Sequence, residues 1–228
     1  MREELFKLNM KALFVNGSPR KNWNTFKMLE SAVKGAADSG AECEFVNLYD
    51  AAFKGCVSCF ACKLKNDKTN GLCAFKDALT PVLEKARQAD MIVIGGPVYF
   101  SHVTAMTLAF TERLMFPLMN YDMNNRTKLN KIIPTAMIFT MNCPEALAEK
   151  INYNKTLGAN VEMLKAIFGY SEMLCAYDTY QFSDYSRYYC TMFDEAAKAK
   201  HRDEHFNIDL NNAYELGRRL AAKVSELN

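Results

Sequence analysis

Short apolar runs alternate with segments of helical periodicity along the whole chain, and this alternation constrains the fold more than any other feature. The five runs fall at residues 12–15, 42–48, 91–94, 136–139 and 173–177. Strands that alternate with helices form a parallel sheet with helices on both faces. The sequence therefore predicts an α/β fold with a five-stranded parallel sheet. Half of the 228 residues are hydrophobic, so we expect a single domain over residues 1–228.

Five segments carry apolar residues at helical spacing. They lie near residues 23–37, 80–86, 104–117, 144–168 and 210–227, whereas residues 183–206 show no clear period and are expected to be irregular or partly helical. The third segment, 104–117, is apolar on more than one face. A helix of this kind is either deeply buried or covered by another subunit, so we expect a homo-oligomer formed through it.

The loop that follows the first apolar run has the composition of an anion-binding turn. A strand, a tight loop and a helix aim backbone N–H groups and a helix N-terminus at one point, and Ser18, Arg20 and Thr25 add further donors. The loop matches neither the dinucleotide nor the Walker glycine pattern. A terminal phosphate with three free oxygens suits it, which predicts a mononucleotide such as FMN. The alternative is an ordinary strand–helix turn.

Two later loops should complete this site, because the carboxyl ends of parallel strands meet at one edge of a sheet. After the third run, Tyr99 and Phe100 suit the border of a flat aromatic ring, or they simply fill the core. Polar residues follow the fourth run and could also contact the ligand, although polar residues are common at strand ends. The candidate contacts are Pro97, Val98, Tyr99, Phe100, Thr140 and Asn142.

Four of the eight cysteines form the strongest cysteine pattern. Cys56, Cys59 and Cys62 follow each other at C-x-x-C-x-x-C spacing, and Cys73 comes after ten intervening residues. Bacterial ferredoxin runs begin in the same way. We keep three interpretations open: an iron–sulfur cluster, a zinc site, and a reduced loop without metal.

Together these stretches resemble the NADPH-dependent FMN reductase and iron–sulfur flavoprotein superfamily, over about the first two thirds of the chain. The resemblance implies a flavodoxin-like fold, bound FMN, reduction by NAD(P)H, a homodimer or homotetramer, and a cluster that passes electrons to FMN. It also implies that Pro97 to Phe100 flank the isoalloxazine. Relatives usually carry glycine at the position of Trp23. The implied phosphate ligands are Ser18, Arg20, Asn24 and Thr25.

Charge and composition exclude several classes of partner. The formal net charge of +2 predicts neither a nucleic-acid partner nor a membrane partner. Residues 1–7 contain no apolar segment of the signal-peptide kind, and no apolar run approaches the length of a membrane span. We therefore expect a cytoplasmic protein whose cysteines are free or bind metal.

Several other motifs have simpler explanations. His201 and His205 match the H-x-x-E-H pattern of inverted zinc peptidases, but a solvated helix face explains two histidines four residues apart equally well. His102 either stabilises charge on a ring ligand or is merely exposed. A tyrosine-rich stretch between residues 177 and 189 is expected to serve packing or a subunit interface.

The main hypothesis is an FMN-dependent oxidoreductase that passes electrons from NAD(P)H through bound FMN to a quinone, a metal or another acceptor. Because the redox chemistry belongs to the cofactor, no side chain is assigned as catalytic. One alternative is an FMN electron carrier, with or without a cluster, that docks to a protein partner. Another is a binding module that has lost the cofactor, which Trp23 would favour.

Overall fold

Five parallel strands form the centre of this computed structural model, which describes residues 10–227. Their order is β2-β1-β3-β5-β6, and a short strand β4 pairs antiparallel with the end of β3. This is the flavodoxin-like order, so the predicted fold class is confirmed. Residues 1–7, on which the expectation about a signal peptide rests, lie outside the described residues. The strands are β1 Lys11–Asn16, β2 Glu42–Asn47, β3 Met91–Tyr99, β4 His102–Val103, β5 Ile133–Thr140 and β6 Gly169–Ala176.

The apolar runs form strands because the sheet is covered on both faces. All eight residues of β5 and the first six of β3 are buried, as expected of central parallel strands. One face packs against α1 and α6, and the other against α2, α3 and α5. The helices are α1 Asn24–Asp38, α2 Thr80–Gln88, α3 Ala105–Leu118, α4 Glu145–Lys150, α5 Tyr153–Phe168 and α6 Glu195–Leu227.

Two predicted helices have different limits. The segment predicted as one helix over 144–168 is divided into α4 and α5, because Asn152 adopts a left-handed conformation with φ of 60°. The last helix begins at Glu195 rather than near residue 210. Its first four turns are mostly exposed, so they carry no apolar stripe that periodicity could detect.

Helix α3 is apolar on more than one face because a segment of the same chain covers it. The cysteine segment, residues 54–75, lies against α3, where the rings of Phe60 and Phe116 meet edge to face at 6.1 Å between centroids. The sheet covers the other face through Phe110 and Leu114. The apolar surface that led us to expect an oligomer is therefore largely covered within one chain, and oligomerisation stays a prediction.

Helices α1 and α6 cross at two glycines. A Cβ atom on Gly217 would lie 2.0 Å from the carbonyl oxygen of Ala32, and one on Gly35 would lie 1.9 Å from that of Tyr214. Both obstacles are backbone atoms, which cannot rotate away. The close approach lets α6 bury Leu216 and Leu220 against the sheet face.

We predict that Gly217→Ala lowers the free energy of unfolding by about 1–3 kcal/mol, the usual cost of overpacking, in spite of the better helix propensity of alanine. The measurement is urea unfolding followed by circular dichroism. The matched control is Gly158→Ala in α5, where a Cβ atom meets nothing within 4 Å, and there stability should rise by up to about 1 kcal/mol. If Gly217→Ala and the parent unfold at the same urea concentration, the close crossing of α1 and α6 is contradicted.

Candidate functional site

A cleft of about 470 Å³ opens at the carboxyl ends of the strands. Its volume lies within the usual range of small-molecule sites. Every cofactor-binding position predicted from the sequence lines this one cleft, so the structure brings all of them together. These positions are Ser18, Arg20, Asn24, Thr25, Pro97, Val98, Tyr99, Phe100, Thr140 and Asn142.

The loop between β1 and α1 is held from both sides. The buried side chain of Asn16 donates to Oδ1 of Asn47 at 2.9 Å and accepts from the backbone N–H of Ser18 at 3.0 Å. On the other side, the hydroxyl of Thr104 donates to the carbonyl oxygen of Gly17 at 2.7 Å. These bonds fix the start of the loop relative to β2 and α3, so the N-terminus of α1 is aimed at the cleft.

Helix α1 lacks a cap of its own. Trp23 occupies the capping position but its side chain makes no capping hydrogen bond, and the first turn contains no acidic residue. The first N–H groups of a helix need an external acceptor, and they carry the positive end of the helix dipole. The hydroxyl groups of Thr25 and Thr140 lie beside them, 2.7 Å apart. This arrangement fits an anion at the N-terminus of α1.

The loop after β6 also contributes to the cleft, and sequence reasoning missed it. Trp23 Nε1 and Asn24 Nδ2 donate to the carbonyl oxygen of Tyr180 at 3.0 and 2.9 Å, and Arg20 donates to that of Gln181. The signal was available, because the fifth parallel strand must end at the same edge as the other four. The residues after it carry no recognisable motif.

The rim of the cleft is a strained hairpin between β3 and β4. Phe100 and Ser101 have φ angles of 49° and 71°, a left-handed conformation that costs non-glycine residues about 1–2 kcal/mol each. Such strain concentrates at functional sites. Phe100 is fully exposed and Tyr99 is 47% exposed, so the alternative that these rings fill the core is wrong. Burial raises the pKa of the Tyr99 hydroxyl, although nearby Arg20 acts in the opposite direction.

Asn142 presents an unused hydrogen-bond acceptor in the cleft. Its Nδ2 donates to Oε1 of Gln181 at 2.7 Å, but its Oδ1 is buried and has no partner within residues 10–227. Buried polar atoms are almost always paired, and an unpaired one is costly. A ligand with an N–H or O–H donor would satisfy this oxygen.

Helix α6 fixes the loops that carry Asn142 and Gln181. Lys198, only 4% exposed, donates to the carbonyl oxygen of Asn142 at 2.7 Å and forms an ion pair with Asp178. The backbone N–H of Asp178 in turn donates to the carbonyl oxygen of Cys143 at 2.9 Å. Helix α6, which follows the irregular stretch, thus holds the loop after β5 and the loop after β6 together.

The remaining motifs occupy ordinary positions. The rings of His201 and His205 stack on α6 with centroids 4.3 Å apart, and His102 is exposed. Tyr180 and Tyr185 pack edge to face at 5.0 Å. Within residues 10–227, no group of three or more His, Cys, Asp or Glu side chains is placed to hold a metal ion.

The four motif cysteines line one small cavity against α3. Cys62 is buried, Cys73 is half-buried, and Cys56 and Cys59 are exposed. The cavity measures about 10 Å³, which is room for about one water molecule. Burial raises the pKa of the Cys62 thiol, against the effect of Lys63. All four cysteines thus line one cavity, but the space between them does not fit a cluster, and metal binding by these thiols stays a prediction.

A buried arginine anchors the cysteine segment at both ends. Arg113 on α3 donates to the carbonyl oxygens of Lys54 at 3.0 Å and Phe75 at 2.6 Å, and it pairs with Asp77 at 2.5 Å. Burial acts to raise the pKa of Asp77, but hydrogen bonds from Arg113 and from the backbone N–H of Leu79 hold it below its ordinary value. The segment is thus tied to α3 by charge as well as by packing.

Comparison with known proteins identifies the family. Residues 10–137, more than half of the chain, match the family model of NADPH-dependent FMN reductase. The chain belongs to this family. An iron–sulfur flavoprotein of Archaeoglobus fulgidus is 42% identical over 118 residues, which cover 51% of this chain and 55% of that protein. Another from Methanocaldococcus jannaschii is 35% identical over 104 residues, 46% of this chain and 51% of that protein. The chain thus matches only about half the length of these relatives.

Solved structures share the fold of this FMN reductase family member over nearly its whole length. An NAD(P)H:quinone oxidoreductase from Methanothermobacter marburgensis has a TM-score of 0.66 at 15% identity, covering 93% of this chain and 97% of its own. An azoreductase from Bacillus anthracis has a TM-score of 0.65 at 13% identity, covering 92% and 99%. At these identities the likeness concerns the fold alone. None of the helices in residues 10–227 is long and apolar enough to cross a bilayer.

Proposed function

We propose that the cleft binds FMN and that the protein is an FMN-dependent oxidoreductase, which takes electrons from NAD(P)H and delivers them to a quinone, a metal or another acceptor. The observation that carries the proposal is the uncapped N-terminus of α1, which lies in the cleft beside the three predicted strand-end loops. Family membership supports the same ligand, because the matching family is one of FMN reductases.

The phosphate would bind at the loop between β1 and α1. The first N–H groups of α1, with the side chains of Ser18 and Thr25, supply neutral donors. Arg20 supplies positive charge, and it and Asn24 would share or exchange their present hydrogen bonds to the carbonyl oxygens of Tyr180 and Gln181. A bound phosphate would therefore compete with the loop after β6 for these two donors.

The ring would lie between the hairpin rim and the loop after β5. Pro97 to Phe100 would border its face, while Thr140 and the unpartnered Oδ1 of Asn142 face its polar edge. When bound, FMN supplies hydride and one-electron chemistry. The chain contributes position, exclusion of water and hydrogen bonds, and no side chain is assigned an acid–base role.

A second candidate function is an electron carrier that lacks NAD(P)H turnover of its own. The shared cavity of Cys56, Cys59, Cys62 and Cys73 favours it, because four cysteine thiolates are the usual ligands of an iron–sulfur cluster. The segment would have to open to accept one, so we derive no electron transfer through a cluster. Zinc and a metal-free loop remain the alternatives.

We further propose one FMN-binding domain over residues 1–228, a cytoplasmic location and a homodimer or homotetramer. We propose partners of the small-molecule or redox-protein class, and neither nucleic acid nor a membrane. The low formal charge of +2 supports the last point.

We predict that FMN binds at least about a hundredfold more tightly than riboflavin, because two charge-assisted hydrogen bonds to the phosphate stabilise by about 1.5 kcal/mol each. Arg20→Gln should weaken FMN about tenfold and leave riboflavin unchanged. Quenching of flavin fluorescence measures both constants. The control is Lys34→Gln, which removes an exposed charge on α1. Equal affinities for FMN and riboflavin, or no binding of either, would refute the phosphate site.

We predict that NADPH or NADH bleaches the FMN-loaded protein in anaerobic stopped-flow mixing, and that a quinone restores the oxidised spectrum. The flavin absorbance reports both steps. If neither nicotinamide bleaches the flavin while a reduced ferredoxin does, the electron carrier replaces the oxidoreductase.

Analysis of iron and acid-labile sulfide in anaerobically purified protein tests the cysteine segment. If it holds a cluster, iron and sulfide are found in equal amounts, and Cys59→Ser removes most of both while Cys43→Ser, on β2, removes none. Zinc without sulfide would indicate the second interpretation. A metal-free protein with the same FMN affinity would indicate a reduced loop, and would leave the flavin site intact.

A further inference from the structure

A second cleft, of about 420 Å³, shares no lining residue with the cleft at the carboxyl ends of the strands. We call it the basic cleft. Arg87, on its wall, stands at the end of α2, just before β3 begins, so the basic cleft lies toward the amino ends of the strands. It is lined by the cationic side chains of Lys63, Lys65, Arg87 and Lys128 and by the carboxylate of Asp67.

Most of this positive charge is not neutralised. Lys128 forms an ion pair with Asp67 at 2.6 Å, and the two opposite charges cancel. Although burial acts to raise it, hydrogen bonds from Lys128 and Thr69 lower the pKa of Asp67 to about 2, so its charge is present. None of the ion pairs in residues 10–227 includes Lys63, Lys65 or Arg87. The cleft therefore carries an excess of three positive charges.

Holding these cations close together is also unfavourable in free energy. Lys63 donates to the carbonyl oxygens of Phe116 and Met119 at the end of α3, which fixes its ammonium near that of Lys128. Arg87 Nε is buried and has no hydrogen-bond partner among residues 10–227. Lys63, Lys65 and Arg87 line one cleft without a carboxylate partner in the described part of the chain, so their charges repel one another, and an anionic ligand would relieve this repulsion.

We infer that the basic cleft binds a small oxyanion with two or more negative charges, either a phosphate ester or a polycarboxylate. The guanidinium of Arg87 offers a planar fork of donors that matches such oxygens, and the lysines add point charges. The cleft is larger than a bare phosphate needs. Asn70, Asn120 and the ring of Tyr121, which is 74% exposed, line the remaining space and would contact the rest of the molecule.

Isothermal titration of the full chain with pyrophosphate, and separately with citrate, tests this inference at low ionic strength, with sodium chloride at matched ionic strength as the blank. We expect saturable binding of one equivalent. Arg87→Gln should weaken it at least tenfold, and Arg87→Lys, which keeps the charge but loses the fork, should weaken it less. Lys34→Gln removes one exposed charge far from the cleft and should change nothing. Thermal unfolding confirms that each variant is folded, and Lys65→Gln replaces Arg87→Gln if that variant is not.

The two anions separate the sources of the ligand chemistry. Preference for pyrophosphate supports a phosphate ester, preference for citrate supports a polycarboxylate, and equal binding supports recognition by charge. Binding no stronger than that of chloride overturns the inference, as does an Arg87→Gln protein that binds like Lys34→Gln. FMN affinity of the Arg87 variants should stay at the parent value, so failure of one site is distinguishable from failure of the other.

Discussion

Parallel pairing of the strands is the constraint on which the rest of the molecule depends. Because β1, β3, β5 and β6 all run in one direction, each must release its following loop at the same edge. Four loops that are far apart in sequence therefore surround one cleft. The N-terminus of α1 then needs no cap from its own sequence, since the position of Trp23 allows a ligand to take that role. The functional surface follows from strand direction rather than from any single motif.

This constraint explains how much of the site the sequence could predict. The positions of Ser18, Arg20, Asn24, Thr25 and Pro97 to Phe100 in the cleft were predictable, because each set is local and follows a recognisable strand. Tyr180 and Gln181 were not, since they contribute backbone carbonyl oxygens to donors about 160 residues away. Every residue has a backbone carbonyl oxygen, so a contact of this kind cannot be recognised from the residue type. The orphaned Oδ1 of Asn142 likewise depends on a neighbour chosen by the fold.

Errors in the predicted helices have the same physical origin. The 104–117 pattern indicated correctly that α3 is covered on several faces, but it did not show that residues 54–75 provide the cover. Arg113 reads as a surface charge in a periodic pattern, and only the fold reveals it as the buried anchor of that segment. The start of α6 was missed because solvent faces most of its first four turns. Helical spacing of apolar residues indicates a helix that packs against a sheet. It does not indicate a helix that packs on loops.

The two clefts offer an anion different kinds of hydrogen-bond donors and different amounts of charge. In the cleft proposed to bind FMN, most donors are neutral N–H and hydroxyl groups, with Arg20 at the exposed edge. Their electrostatic field is short-ranged and would favour a phosphate at one position. The basic cleft instead carries unpaired cations, whose attraction acts over about 10 Å at ordinary salt. Its wall includes Cys62, which also lines the cysteine cavity. An anion bound there would lower the positive potential at Cys62.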